Sequence, residues 1–160
     1  MARYSRIFAA LDGGDTQLAV ARRTLSIAHD NNADVLFGHV IEKADLEMGR
    51  VDIDEVVGRS KEAIEGALER QLTRALHDEC VSSVEVKVAS GRIDDVLAKL
   101  AEEFDPDLVI CGVRGLSNIK YAFVGSTSTF LIRNMSCDVL VVRPESIEEI
   151  DEAEYEEAMK

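Results

Sequence analysis

CGVRGLSNIKYAFVGSTS, residues 111–128, joins an apolar run to a polar loop and then to the start of a helix. The run Asp107-Leu-Val-Ile-Cys111 reads as a buried strand leading into it. Gly112 and Gly115 follow, with Arg114 between them. After nine intervening residues Gly125 precedes three hydroxyl side chains, Ser126, Thr127 and Ser128, which open a predicted helix over 126–134. Glycines let a backbone approach a bound group closely. A helix N-terminus presents amides without intrahelical partners and the positive end of a dipole, which suits phosphate. Arg114 adds a fixed positive charge. The pattern points to an anion site, with a nucleotide as the natural ligand. The alternative is a plain glycine turn followed by an N-cap serine. No Gly-Lys-Ser or Gly-Lys-Thr of a Walker A loop occurs in the chain, and no dinucleotide GxGxxG.

Outward from this stretch, strand and helix patterns alternate. Residues 4–11 form an apolar strand ending at Asp12-Gly-Gly-Asp15. Residues 16–31 carry Leu18, Ala21, Leu25 and Ala28 at helical spacing, with Asp15 or Thr16 as the cap. Residues 33–41 give a second strand, and 42–54, without periodicity, a long loop or lid. One long amphipathic helix is expected over 55–79, through Val56, Ile64, Leu68, Leu72 and Leu76. Residues 84–88 alternate apolar and polar, as in a strand near a sheet edge. A helix over 93–104 turns Ile93, Val96, Leu97 and Leu100 inward and stops at Asp105-Pro106. The last strand is 139–142.

Five strands alternating with four helices predict an α/β fold: a single doubly wound five-stranded parallel sheet, Rossmann-like, order 3-2-1-4-5, with helices on both faces. Ligands of such sheets bind beyond the carboxyl ends of the strands, where the strand order reverses. Asp12, Val40 and residues 112–115 converge there. Asp12 has a second reading as a turn-forming residue, and Val40 as simple core.

The chain has 160 residues, one domain's worth, with 46% apolar residues and a net charge of −13. Eight acids and one lysine fall within 145–160, so the acidity is concentrated in a tail. An acid excess opposes non-specific nucleic-acid binding. No apolar run approaches the ~20 residues of a membrane span, and no signal-peptide core follows the N-terminus; the expectation is a cytoplasmic protein. Cys80, Cys111 and Cys137 are odd in number and lack metal or disulfide spacing, so they read as small hydrophobes.

The residues of the central stretch resemble the universal stress protein family. Gly112-x-x-Gly115, nine residues, Gly125-Ser126 is similar to its nucleotide-binding motif. The approach Phe104-Asp-Pro-Asp-Leu-Val-Ile-Cys-Gly112, the opening strand to Asp12, and Asn134-Met-Ser-Cys137 with the strand that follows are similar too, so the likeness covers residues 3–143. It implies a nucleotide-binding domain over 1–144 with the acidic tail, 145–160, appended. Members that keep this motif bind ATP, and those that lack it do not. By position the resemblance assigns Asp12 and Val40 to adenine and ribose, and Gly112, Arg114, Gly115, Gly125, Ser126 and Thr127 to the phosphate side, with Ala10, Cys111 and Ser128 also in the nucleotide site. The implied ligand is ATP, or AMP or ADP, with Mg²⁺ as an accompanying ion. It also implies a homodimer paired through Val139, Leu140, Val141 and Val142, whose apolar edge suits such pairing. Two positions depart from the family: Gly14 replaces a common small hydroxyl residue, and Asp138 a common proline.

The implied role is an ATP-binding stress-response or regulatory protein, a dimeric nucleotide-dependent switch or protective module. The alternative is an interaction module of the same fold that binds no nucleotide. A phosphoacceptor receiver domain is disfavoured, because Val88-Ala-Ser90 lacks the aspartate that would end its third strand. A pyrophosphatase-type loop finds only a faint echo in Asp12-Gly-Gly-Asp15. His29, His39 and His77 lack triad or metal spacing. At most slow ATP hydrolysis is expected, with no catalytic or metal residue assigned.

Overall fold

The computed structural model describes residues 3–14, 16–42, 52–113 and 125–143. Five strands, β1 (Arg6–Ala10), β2 (Asp34–Glu42), β3 (Ser83–Gly91), β4 (Leu108–Gly112) and β5 (Asp138–Val142), form one sheet in the order β3-β2-β1-β4-β5. Every pairing is parallel. The expected architecture and strand order are both observed, with β3 at an edge as its alternation suggested.

Strand periodicity divides the core in two. Ile7, Ala9, Val35, Phe37, Leu108 and Ile110 point to one face, where they meet α1 (Gln17–Asn31), α2 (Ile53–Ala67) and α3 (Glu69–Leu76). Phe8, Ala10, Leu36, Val40, Val109 and Cys111 point to the other, against α4 (Ile93–Phe104) and α5 (Ser126–Asn134). Near-continuous burial along β1 and β4 is what helices on both faces demand. Asn32 and Asp105, both in the left-handed conformation, end α1 and α4.

One expected element divides. The helix expected over 55–79 begins earlier, at Ile53 behind the capping side chain of Asp52, and breaks at Leu68 (φ −106°, ψ 15°) into α2 and α3. Gly66 lies just before the break, and glycine is the poorest helix former after proline. Leu68 itself is buried with Ile64 against the sheet. The described residues thus hold five helices rather than four. Of the loop or lid expected over 42–54, Glu42 ends β2 and residues 53 and 54 open α2, while 43–51, like the acidic tail, 145–160, lie outside the described residues. Among the described residues no helix is long and apolar enough to cross a membrane.

Candidate functional site

Strand order reverses between β1 and β4, and the crevice beyond their carboxyl ends is lined by Ala10, Leu11, Asp12, Val40, Cys111, Gly112, Gly125, Thr127 and Ser128, closed on one side by Ile93 and Leu97. Its floor is apolar and its rim polar. Such a division suits a ligand with a flat apolar part and a charged part.

Asp12 is the carboxylate among these residues, and it is exposed. Its Oδ1 accepts the Gly14 N–H at 2.8 Å, and its Oδ2 the Thr16 hydroxyl at 3.2 Å. The turn-forming reading of Asp12 therefore holds, and the same bonds fix the carboxylate at the rim. Thr16 occupies the N-cap position of α1 without a side-chain cap bond, its hydroxyl turned to Asp12 instead. The His39 ring donates from Nδ1 to the Leu11 carbonyl at 2.7 Å, which ties the end of β1 to β2. Val40, 7% exposed, both belongs to the core and lines the crevice, so its two readings are compatible.

Across the crevice, α5 starts at Gly125, an N-cap residue with extended backbone and no side-chain cap. Serine at 126 does not serve as that cap. Among the described residues no side-chain oxygen caps the first-turn amides of α5, which open at the crevice. Ser128 donates its hydroxyl to the Gly112 carbonyl at 3.1 Å, pinning the helix start to the end of β4. Burial pushes the Cys111 thiol up from its ordinary pKa, an effect that contact with Ser128 partly offsets. Cys111 is thus a neutral thiol in the wall, unsuited to nucleophilic work.

Gly112 is required for this arrangement. A Cβ there would lie 2.8 Å from Thr16 Oγ1, 3.0 Å from Thr16 Cβ and 3.2 Å from Val20 Cγ2. Only glycine lets the end of β4 close onto the start of α1.

Of the residues singled out in the sequence, Ala10, Asp12, Val40, Cys111, Gly112, Gly125, Thr127 and Ser128 meet around the crevice. Ser126 opens the helix beside it, exposed, and is not in the lining. Arg114 and Gly115 lie outside the described residues. Leu11, Ile93 and Leu97 join the lining without having been singled out for it. The i, i+4 pair of Ile93 and Leu97 was legible as an inward face, and the crossover from β3 carries that face to the crevice.

The family model described as the universal stress protein family matches residues 3–143. A putative universal stress protein of Staphylococcus haemolyticus is 30% identical over 153 residues, covering 93% of this chain and 90% of the relative. Among solved structures, universal stress protein UspA from Lactobacillus plantarum aligns with a TM-score of 0.64 at 20% identity, over 89% of this chain and all of that one. A universal stress protein solved in complex with cAMP aligns at 0.56 and 23% identity, over 89% of this chain and 98% of that one.

Proposed function

The chain belongs to the universal stress protein family, and from that premise we propose that it is an adenine-nucleotide-binding regulatory protein of the ATP-binding subclass. The observation that carries the reading is the crevice at the strand-order reversal, where the exposed Asp12 carboxylate faces the uncapped start of α5 across an apolar floor. Val40, Leu97 and Ile93 supply aliphatic cover for a base. Asp12 accepts from ribose hydroxyls. The first-turn amides of α5, with the Thr127 hydroxyl in the lining, receive phosphate oxygens, while Ser128 holds the helix start against Gly112 and Ser126 stands exposed beside it. The cAMP complex of a structural neighbour supports a nucleotide in this fold. The resemblance of the 112–126 glycine pattern supports ATP, with Arg114 and Gly115 completing the phosphate side.

An Mg²⁺ ion travelling with ATP is a hard, oxygen-seeking cation that keeps several waters. Asp12, given to the ribose, is the carboxylate among the described lining residues, so the ion would be held by the phosphates and its own waters; when bound, it neutralises phosphate charge. No described lining residue is a histidine, lysine or glutamate placed as a base, and the reading is of a nucleotide-responsive module rather than a dedicated hydrolase. We place it in the cytoplasm as a homodimer. β5 closes one edge of the sheet with Val139, Leu140 and Val141 only half-buried, a surface suited to pairing with its copy. Residues 1–144 act as the nucleotide-binding domain and 145–160 as an appended acidic tail.

Titration calorimetry with ATP, ADP and AMP in Mg²⁺ tests the proposal. Asp12→Asn preserves an oxygen acceptor for Gly14 and a polar partner for Thr16 but removes the charge. A hydrogen bond to a charged group contributes about 1.5–3 kcal/mol, so at this exposed position the variant should bind about tenfold more weakly. No heat with any of the three nucleotides, or equal affinity in Asp12→Asn, would overturn the reading.

A further inference from the structure

At the amino-terminal end of the sheet, opposite the crevice, three donor atoms of different chemistry come together. His29 lies in the last turn of α1, while Asp78 and Cys80 lie in the turn between α3 and β3. One ring nitrogen of His29, one carboxylate oxygen of Asp78 and the Cys80 sulfur all fall within 4.8 Å of one another. His29 Nδ1 and Asp78 Oδ2 are 2.7 Å apart. The other oxygen, Oδ1, accepts the Cys80 N–H at 2.8 Å, which holds the carboxylate against the backbone of the residue that carries the thiol. His29 and Asp78, though not Cys80, line a groove along α1 and α3 with a cavity volume of about 340 Å³, which Ser26, Gln71, Arg22 and Arg74 also border.

A bare surface ion pair explains the contact of His29 with Asp78 but gives no role to the thiol. We propose that His29, Asp78 and Cys80 form a binding site for a zinc-class divalent cation. Imidazole, carboxylate and thiolate are the ligand types zinc takes, and three protein ligands leave a fourth position for water or an external ligand. With zinc–nitrogen and zinc–oxygen bonds of about 2.0–2.1 Å, tetrahedral geometry needs ligating atoms about 3.3 Å apart, and about 3.5 Å between nitrogen and sulfur. The His29–Asp78 distance must therefore open by about 0.6 Å. The His29 side chain, 54% exposed, has room to turn by that much. The ion takes the place of the proton shared between Nδ1 and Oδ2, and the Cys80 thiol releases its own proton on binding. The three ligands come from the end of α1 and the entry to β3, so an ion there would tie two sequence-distant segments together.

Cobalt(II) substitution in the full chain provides the test, because its spectrum reports both geometry and a thiolate ligand. The expected result is one cobalt per chain, with visible bands of a low-coordinate site and a near-ultraviolet sulfur-to-cobalt band, all displaced by zinc. Cys80→Ser should abolish the sulfur band and weaken zinc binding at least about tenfold, the lower end of the loss seen for outer partners alone. Cys137→Ser should leave both unchanged. Zinc added to the unsubstituted chain should also move the ring resonances of His29, a readout that needs no variant. No cobalt spectrum, a sulfur band that survives Cys80→Ser or vanishes in Cys137→Ser, or unmoved His29 resonances would overturn the proposal.

Discussion

Replacing Gly112 by alanine probes how the crevice is assembled. Gly112 has ordinary strand backbone at the end of β4, so alanine meets no conformational penalty there. The penalty is spatial. The new methyl would sit 2.8 Å from Thr16 Oγ1 and 3.2 Å from Val20 Cγ2, and both Thr16 and Val20 are buried, at 5% and 1% exposure. Neither neighbour is the free end of a flexible chain, so the start of α1 must move away from β4. Overpacking of this kind costs about 1–3 kcal/mol, against which the stiffer unfolded chain returns about 0.4–1 kcal/mol. A net loss of about 1.5 kcal/mol corresponds to a fall in melting temperature of about 3–6 °C for a domain of this size. Denaturant melts of the parent, Gly112→Ala, Thr16→Ala and the double variant form a cycle. Because Thr16→Ala removes the nearest atom, the double variant should be more stable than the two single losses predict, by at least about 0.5 kcal/mol. A Gly112→Ala protein as stable as the parent, or strictly additive losses, would refute the close approach of β4 to α1.

Gly38→Ala places its methyl 2.7 Å from Phe8 Cζ, a rigid ring with no exposed surface; a loss of about 2–3 kcal/mol is expected by thermal or denaturant melting. Leu131, fully buried, anchors α5 to the sheet, and Leu131→Ala should cost about 2–5 kcal/mol by the same measurement. Since burial raises the Cys111 pKa, its reactive thiolate is scarce at neutral pH and the sulfur is shielded. Alkylation followed by mass spectrometry should find Cys111 far slower in the native protein than in denaturant, and equal rates would contradict its burial.

Much of this architecture was legible because periodicity is local. The apolar runs of β1, β2 and β4 announced strands, that of β4 a buried one, and the alternation of β3 its edge position. The break at Leu68 was not legible, since the apolar spacing from Ile64 through Leu72 continues a helical register across it. Gly66 was the available hint, and only packing against the sheet decides whether such a residue bends a helix. At the site, Asp12 and the glycine–serine junction at 125–128 stood out because turns and helix starts leave residue-type marks. The contribution of Ile93 and Leu97 depended on where the crossover from β3 lands. The meeting of His29 with Asp78 and Cys80, far apart in sequence, was set by topology and left no spacing signal. The close fit of Gly112 onto Thr16 likewise belongs to tertiary structure.

Amide shift mapping with ATP and Mg²⁺ tests the central claim most directly, because it locates the ligand without altering the chain. Nucleotide bound in the crevice should move the amides of Asp12, Val40, Gly112, Ser126, Thr127 and Ser128 most strongly, with little change in β3 or at the His29 end of α1. A spectrum unmoved at saturating ATP, or one whose changes cluster away from the carboxyl ends of β1 and β4, would contradict the account.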